Sequence, residues 1–122
     1  MSSTELTSLA KRAVACSKWV WLPGMQVICA PTHETLSTCL VRVDGEKWVS
    51  SPTDLPNLND GCTLGGVLML VRRAWSDSTA HVSPIEVAEN LWCLTVKTKT
   101  GHTWFYGKTE AEAMTVALEM AG

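Results

Sequence analysis

Residues 91–121, LWCLTVKTKTGHTWFYGKTEAEAMTVALEMA, decide the fold because they join two predicted strands directly to a predicted helix. Two runs rich in β-branched and aromatic residues flank the Lys-Thr-Gly-His turn at 99–102, a pattern that predicts a hairpin. Thr109 then caps a helix, and Glu112 completes a capping box. Apolar residues at helical spacing predict that the helix buries a stripe made of Ala111, Met114, Ala117, Leu118 and Ala121.

The register of this hairpin is left open by the sequence. The strands are predicted at 91–98 and 103–106, and a two-residue turn would pair Val96 with Phe105. A three-residue turn would pair Val96 with Trp104 instead. Because a shift of one residue turns every side chain to the opposite face, the choice decides which aromatic side chains of the second strand are core and which are surface.

Asp44-Gly45 is the strongest local turn signal in the chain, because Asp-Gly supplies the two positive-φ positions of a type I′ turn. It predicts a hairpin of strands 38–43 and 46–50, in which Arg42 faces Lys47. Like charges directly opposite each other are unfavourable. The two side chains therefore either splay into water or converge on an anion, and both alternatives stay open.

Two further helices are predicted, from about Thr4 to Cys16 and from about Gly61 to Trp75, the second with Asp60 as its N-cap. The second helix contains the pair Gly65-Gly66, although a Gly costs about 1 kcal/mol in a helix interior relative to Ala. The pair therefore indicates close approach of another group. Helix–strand packing and an anion bound at the helix N-terminus are the two alternatives.

The remaining segments predict an extended stretch at 18–21, strands at 25–30 and 79–87, and a loop over 51–59. Pro84 interrupts its strand and places that strand at a sheet edge. The predicted order is α-β-β-β-α-β-β-β-α, and hairpins dominate. We expect a single α+β domain over residues 1–122, with a mostly antiparallel sheet of about five to six strands packed with three helices.

Composition excludes several classes of protein. Hydrophobic residues make up 46% and charged residues 18%, which excludes a disordered chain, and the net charge of −2 argues against a non-specific binder of duplex nucleic acid.

The five Cys are odd in number and form no CxxC, so we expect all of them to be buried and reduced. No signal peptide is recognisable, and the longest apolar run, 67–71, is too short to span a membrane. We expect a cytoplasmic protein.

Catalytic and metal motifs are absent from the sequence. His33, His81 and His102 are isolated, and neither GxSxG, GxGxxG nor GxxxxGK[ST] occurs. We therefore expect a protein that is not an enzyme and that uses no metal or cofactor.

The aromatic composition is unusual, with six Trp against one Tyr and one Phe. A buried indole N–H needs a partner, so we expect one or two of these Trp to be partly exposed. An exposed Trp beside a cation can stack a nucleobase while the cation holds a phosphate, and the same pair also anchors protein interfaces. The candidate ligand-binding residues are Trp19, Arg42, Lys47, Trp48, Arg72, Trp75 and Trp104.

Several segments resemble small uncharacterised proteins of tailed bacteriophages and prophages: WVWLPGM at 19–25, DLPNL at 54–58, TLG at 63–65, RRAW at 72–75 and GKTEAEA at 107–113. The layout of an N-terminal helix, a middle helix, a hairpin and a closing helix is also similar to the phage ABA sandwich domain, mainly over the C-terminal half. Neither resemblance brings catalytic residues. Together they imply a small accessory protein acting in the cytoplasm of a bacterial host.

This context implies antagonism of host defence. The expected function is that of a phage-encoded, non-enzymatic and homo-oligomeric protein that sequesters a nucleotide-derived immune signal. The alternative is a protein–protein antagonist of a host defence factor, or a phage accessory interaction module, with no small-molecule ligand. A small hydrolase acting on the same signal is the third hypothesis.

Overall fold

The computed structural model describes residues 3–29, 39–43, 54–86 and 90–121. The elements are α1 (Ser3–Ala15), β1 (Gln26–Cys29), β2 (Cys39–Arg42), β3 (Leu55–Pro56), α2 (Gly61–Ala74), β4 (His81–Pro84), β5 (Trp92–Thr98), β6 (Gly101–Gly107) and α3 (Glu110–Ala121). This succession of helices and strands confirms the predicted α+β class. The order of the described elements matches the predicted order, but its third strand, β3, is not the one predicted at 46–50.

The described strands form two antiparallel sheets of three strands each, where the sequence predicted one sheet. The first sheet has the order β2-β1-β3 and the second the order β4-β5-β6. β3 is a two-residue strand within the segment predicted as a loop, and it pairs Leu55 with Ile28 and Pro56 with Val27. Pro is compatible with this position because β3 is an edge strand and Pro has no N–H to donate.

Three other predictions from the sequence have three different outcomes. Residues 18–21, predicted as extended, form no strand. β4 is an edge strand, as Pro84 predicted. The Asp44-Gly45 turn and the strand predicted at 46–50 lie outside the described residues.

The register of the β5–β6 hairpin settles which aromatic side chains face the core. Val96 pairs with Thr103. Both alternative pairings considered from the sequence, Val96 with Phe105 and Val96 with Trp104, are therefore wrong. The observed register differs by two residues from the one that a two-residue turn predicted, and a shift of two preserves the faces. Phe105 is consequently buried, whereas Trp104 and Tyr106 are exposed.

The core is centred on α3, which contacts α1, α2 and the sheet β4-β5-β6. Small side chains at Ala113 and Ala117 are fully buried and allow these elements to approach α3 closely. Gly107 at the end of β6 serves the same purpose, because a Cβ at this position would overlap the backbone of Glu112 and Ala113. The missing side chain at Gly107 therefore allows the end of β6 to lie directly against the first turn of α3.

Both predicted helix caps are present. The Asp60 carboxylate accepts a hydrogen bond from the Thr63 N–H at the start of α2. At α3, the Thr109 hydroxyl accepts one from the Glu112 N–H, and the Glu112 carboxylate accepts one from the Lys108 N–H. The second bond reaches one residue further back than in a standard capping box. Within the described residues, no helix has the length and apolar content needed to cross a bilayer.

Gly65 and Gly66 differ in their surroundings. A Cβ on Gly66 would lie 2.7 Å from Cε of Met25, so this glycine allows α2 to pack against the residue that precedes β1. A Cβ on Gly65 would meet nothing within 4 Å. Of the two explanations for the pair, the geometry at Gly66 supports packing.

The cysteines are more accessible than expected. Cys62 is exposed, and Cys16 and Cys93 are half-buried free thiols. The prediction that all five are buried is therefore wrong for Cys62, whose place on the outer side of α2 could not be read from its apolar neighbours. The register of the first sheet places Cys29 opposite Cys39.

Candidate ligand-binding face

Two of the predicted ligand-binding residues, Arg72 and Trp75, make contacts inside the protein. The indole N–H of Trp75 donates to the Ala117 carbonyl at 2.9 Å, and its ring lies 5.3 Å from that of Phe105. The Arg72 Nε–H donates to the Ala80 carbonyl at 2.8 Å. These bonds tie the end of α2 to α3 and to the start of β4, so both polar groups are committed to the fold.

Trp19 is also part of the packed structure. Its ring meets that of Trp21 edge to face, with centroids 5.3 Å apart, and both rings pack against the core. Among the described residues, its indole N–H is buried without a hydrogen-bond partner. Arg42 is the last residue of β2. Lys47 and Trp48 lie outside the described residues.

Trp104 is the predicted site residue that the structure exposes most clearly, with 54% of its surface accessible. It lies on the solvent-facing side of the sheet β4-β5-β6. Leu94, Val96 and Phe105 point inward from this sheet, so the residues that alternate with them point outward. We call this outer surface the aromatic face; its residues are His81, Ser83, Cys93, Thr95, Lys97, His102, Trp104 and Tyr106.

The aromatic rings of this face follow one another along β6. His102, Trp104 and Tyr106 occupy alternate positions, and Tyr106 is 51% exposed. The rings of His102 and Trp104 are nearly parallel, with an interplanar angle of 24° and centroids 6.3 Å apart. Across the hairpin, Lys97 pairs with His102. Three planar rings and the ammonium group of Lys97 therefore share one open surface.

The charges of the aromatic face favour an anion. No Asp or Glu occurs in β4, β5 or β6, whereas Lys97 is exposed and Lys99 follows in the turn. Next to this sheet, the buried Asp77 carboxylate accepts hydrogen bonds from the Lys97 N–H and from the N–H and hydroxyl of Thr79. These bonds, those from Thr79 foremost, lower the pKa of Asp77 to about 2. Asp77 is thus a structural anion that holds the β5 backbone.

The sequence identified Trp104 but missed Lys97, His102 and Tyr106 as its neighbours. His102 and Tyr106 share the face of Trp104 through strand alternation alone, whereas the place of Lys97 depends on the hairpin register, which the sequence left open. A usable signal was present in β5, where the apolar Leu94 and Val96 alternate with polar residues.

Two cavities bordered by described residues lie away from this face. A cleft of about 740 Å³ separates α1 from β1 and β3, and among its described lining residues Lys11 is the only charged one and none is Trp. A smaller cavity of about 240 Å³ is lined in part by Trp92 and Glu110. Neither combines an aromatic ring with a cation within the described lining. No group of three potential metal ligands comes together in the described part of the chain.

Comparisons with known proteins find no matching family model, no matching curated protein and no matching solved structure. The geometry of the chain itself is therefore what bears on its function.

Proposed function

We propose that this protein binds a nucleotide-derived ligand on the aromatic face without acting on it chemically. One observation carries the proposal: Trp104 and Tyr106 are both about half exposed, side by side with His102, on a sheet surface that contains Lys97 and no carboxylate. A nucleobase stacks on exposed rings, and a nearby ammonium attracts its phosphate.

The exposure of these rings is what distinguishes the face from ordinary surface. Single exposed apolar residues are common on protein surfaces and do not by themselves indicate a binding site. Here, however, two large aromatic side chains lie on one strand and a third ring is aligned with the first. Base–aromatic stacking contributes about 1–3 kcal/mol per base, and a millimolar Kd corresponds to about 4.1 kcal/mol, so binding without an enclosing pocket needs stacking on more than one ring or the added attraction of the ammonium.

The biological role that we propose follows from the phage resemblance. In a bacterial host, such a protein would antagonise defence by sequestering a nucleotide-derived immune signal. As a homo-oligomer, such a protein would present one aromatic face on each subunit.

Thermal unfolding in the presence of nucleotides tests the proposal. The panel consists of AMP, cyclic dinucleotides, cyclic ADP-ribose and a short oligodeoxythymidylate. A ligand at one hundred times its Kd stabilises the folded protein by about 2.7 kcal/mol, which raises Tm by several degrees. Absence of a shift with every member of the panel would refute the proposal.

Variants connect the binding to the aromatic face. Trp104→Ala should lower the affinity about 5-fold or more, because it removes one stacking surface. Met120→Ala is the matched control, since Met120 is 65% exposed on α3 and lies outside the aromatic face. Equal losses in both variants would argue against a site at Trp104.

A protein partner is the second candidate ligand for this face. The supporting observation is that Trp104 and Tyr106 are both about half exposed, and exposed aromatic rings are of the kind used at protein interfaces. If this candidate is right, a host protein is captured by the wild type and lost with Trp104→Ala, while no nucleotide in the panel shifts Tm.

A further inference from the structure

We infer that the ligand class of the aromatic face is an extended single strand of nucleic acid, about three nucleotides of which lie along β6. The inference rests on the proposed function, because it uses the same face and the same stacking chemistry. It goes further by choosing a linear strand over a mononucleotide, a cyclic nucleotide or a duplex.

Ring spacing is the first argument. His102, Trp104 and Tyr106 are separated by two residues each, which is about 6.6 Å in a strand. The measured separation of the first two ring centroids, 6.3 Å, agrees with this. Stacked bases in a duplex strand repeat at about 3.4 Å. If each base stacks on a different ring of this row, the bases must be unstacked from one another, as they are in an extended single strand.

The length of the row is the second argument. From His102 to Tyr106 the chain advances four residues, or about 13 Å, and the row is not closed off by an element of the described structure. One nucleotide covers one ring and leaves the other two exposed to water. A strand of three nucleotides covers all of them, so each added nucleotide up to this number should add affinity.

Charge gives the strand a preferred end. Lys97 lies beside His102, and Lys99 lies in the turn next to it, so two ammonium groups flank one end of the row. A carboxylate accepts a hydrogen bond from a backbone N–H at each end, Asp77 from Lys97 and Glu112 from Lys108, so the second lysine in the turn, Lys99, is what distinguishes the hairpin end. The phosphates should accordingly be held most firmly at the hairpin turn.

A duplex does not satisfy this geometry, because its bases are paired and stacked inside and cannot lie flat on protein rings. The net charge of −2 also provides little general attraction for a duplex backbone. A row of exposed rings with lysines at one end matches instead the stacking platforms on which proteins bind single strands.

Competition binding tests the inference. A fluorescent dT8 is bound to the full chain, and its anisotropy is measured while unlabelled TMP, dT2, dT3, dT4, dT8 or a hairpin duplex is added. We expect affinity to rise at least about 5-fold with each nucleotide up to three and then to level off, with the duplex a poor competitor. Lys97→Ala should reduce the salt dependence of dT8 binding by about one phosphate contact.

The outcomes separate this inference from the proposed function. If TMP or a cyclic dinucleotide competes as well as dT4, and Trp104→Ala weakens both, the single-strand inference is wrong and the nucleotide-binding function stands. Equal competition by the duplex also overturns the inference. If neither oligonucleotides nor small nucleotides bind at all, the proposed function fails with it. Retention of dT8 binding in Trp104→Ala and Tyr106→Ala, with Met120→Ala as the control, places the site elsewhere and overturns both.

Discussion

Asp77 illustrates how one buried carboxylate holds several backbone segments. Its oxygens accept hydrogen bonds from the Thr79 N–H at 2.9 Å, the Thr79 hydroxyl at 2.6 Å and the Lys97 N–H at 2.8 Å. The bonds therefore join the segment after α2 to the C-terminal end of β5. Because all three strengthen with a negative charge on Asp77, they lower its pKa to about 2.

The depressed pKa of Asp77 predicts a loss of stability in acid. A carboxyl whose folded pKa is lower than its unfolded value, about 3.9, stabilises the protein fully above pH 4 and progressively less as the pH falls towards 2. Urea unfolding at pH 5, 4, 3 and 2 measures this loss. Asp77→Asn should be less stable than the wild type at pH 5 and should lose less stability on acidification. Parallel curves for the two proteins would contradict this assignment.

Arg72 and Arg73 are adjacent in sequence, but the structure gives them different surroundings. The Arg72 Nε–H holds the carbonyl of Ala80, whereas Arg73 is exposed. Arg72→Ala should lower the free energy of unfolding by about 1 kcal/mol, because a buried carbonyl loses its donor. Arg73→Ala should change it by less than about 0.5 kcal/mol. Chemical denaturation of the two variants measures the difference.

The opposite result at Arg72 would support the prediction made from sequence. If Arg72→Ala leaves stability unchanged and weakens binding of an anionic ligand, Arg72 belongs to the binding site. Its bond to Ala80 would then be dispensable for folding.

At the scale of elements, Thr63 joins α2 to the first sheet. Its side chain is fully buried, donates to the Asp60 carboxylate at 2.9 Å and accepts from the Gln26 N–H at 2.7 Å. The start of α2 is therefore hydrogen-bonded to the start of β1. The sequence predicted the cap at Asp60, but the link to β1 depends on two segments that are distant in sequence.

Replacing Thr63 tests this link. Thr63→Val keeps the shape of the side chain but removes the hydroxyl, so the Gln26 N–H loses its acceptor. The free energy of unfolding should fall by about 1–3 kcal/mol. Thr63→Ser retains the hydroxyl and is the control, and it should retain more of the stability than Thr63→Val. A Val variant as stable as the Ser variant would show that the link contributes little.

For the whole molecule, α3 is the element around which the others pack. Leu118 is fully buried within one hydrophobic cluster that contains residues from Leu9 in α1 to Leu118 itself. Leu118→Ala should therefore lower the free energy of unfolding by about 2–5 kcal/mol, whereas Met120→Ala on the exposed side should change it by less than about 0.5 kcal/mol. Circular dichroism and tryptophan fluorescence should report one coincident transition for Leu118→Ala. Two separated transitions would indicate that the core does not unfold as a unit.

The tryptophans show how much of the burial pattern could be predicted from the sequence. Of the five that the structure describes, Trp19, Trp21, Trp75 and Trp92 are partly buried against the core, and Trp104 is exposed. Among these five, the expectation that few are exposed is confirmed, but the other four pack against the core only partly buried, so more than the expected one or two are partly exposed. The sequence could not say that Trp104 is the exposed one, because this depends on the register of the β5–β6 hairpin, which it left open.

Local signals alone determined the class, the order of elements and the helix caps. These features depend on interactions between residues a few positions apart, such as the bond from the Glu112 N–H to Thr109, and the sequence shows such neighbours directly. The tertiary structure alone decided the division into two sheets and the register of β5 with β6. These depend on pairing between distant segments, where a shift of one residue reverses every face at little local cost. The position of Lys97 on the aromatic face belongs to this second group, because the three-residue turn would place Lys97 on the opposite face, whereas His102, Trp104 and Tyr106 share a face through strand alternation alone.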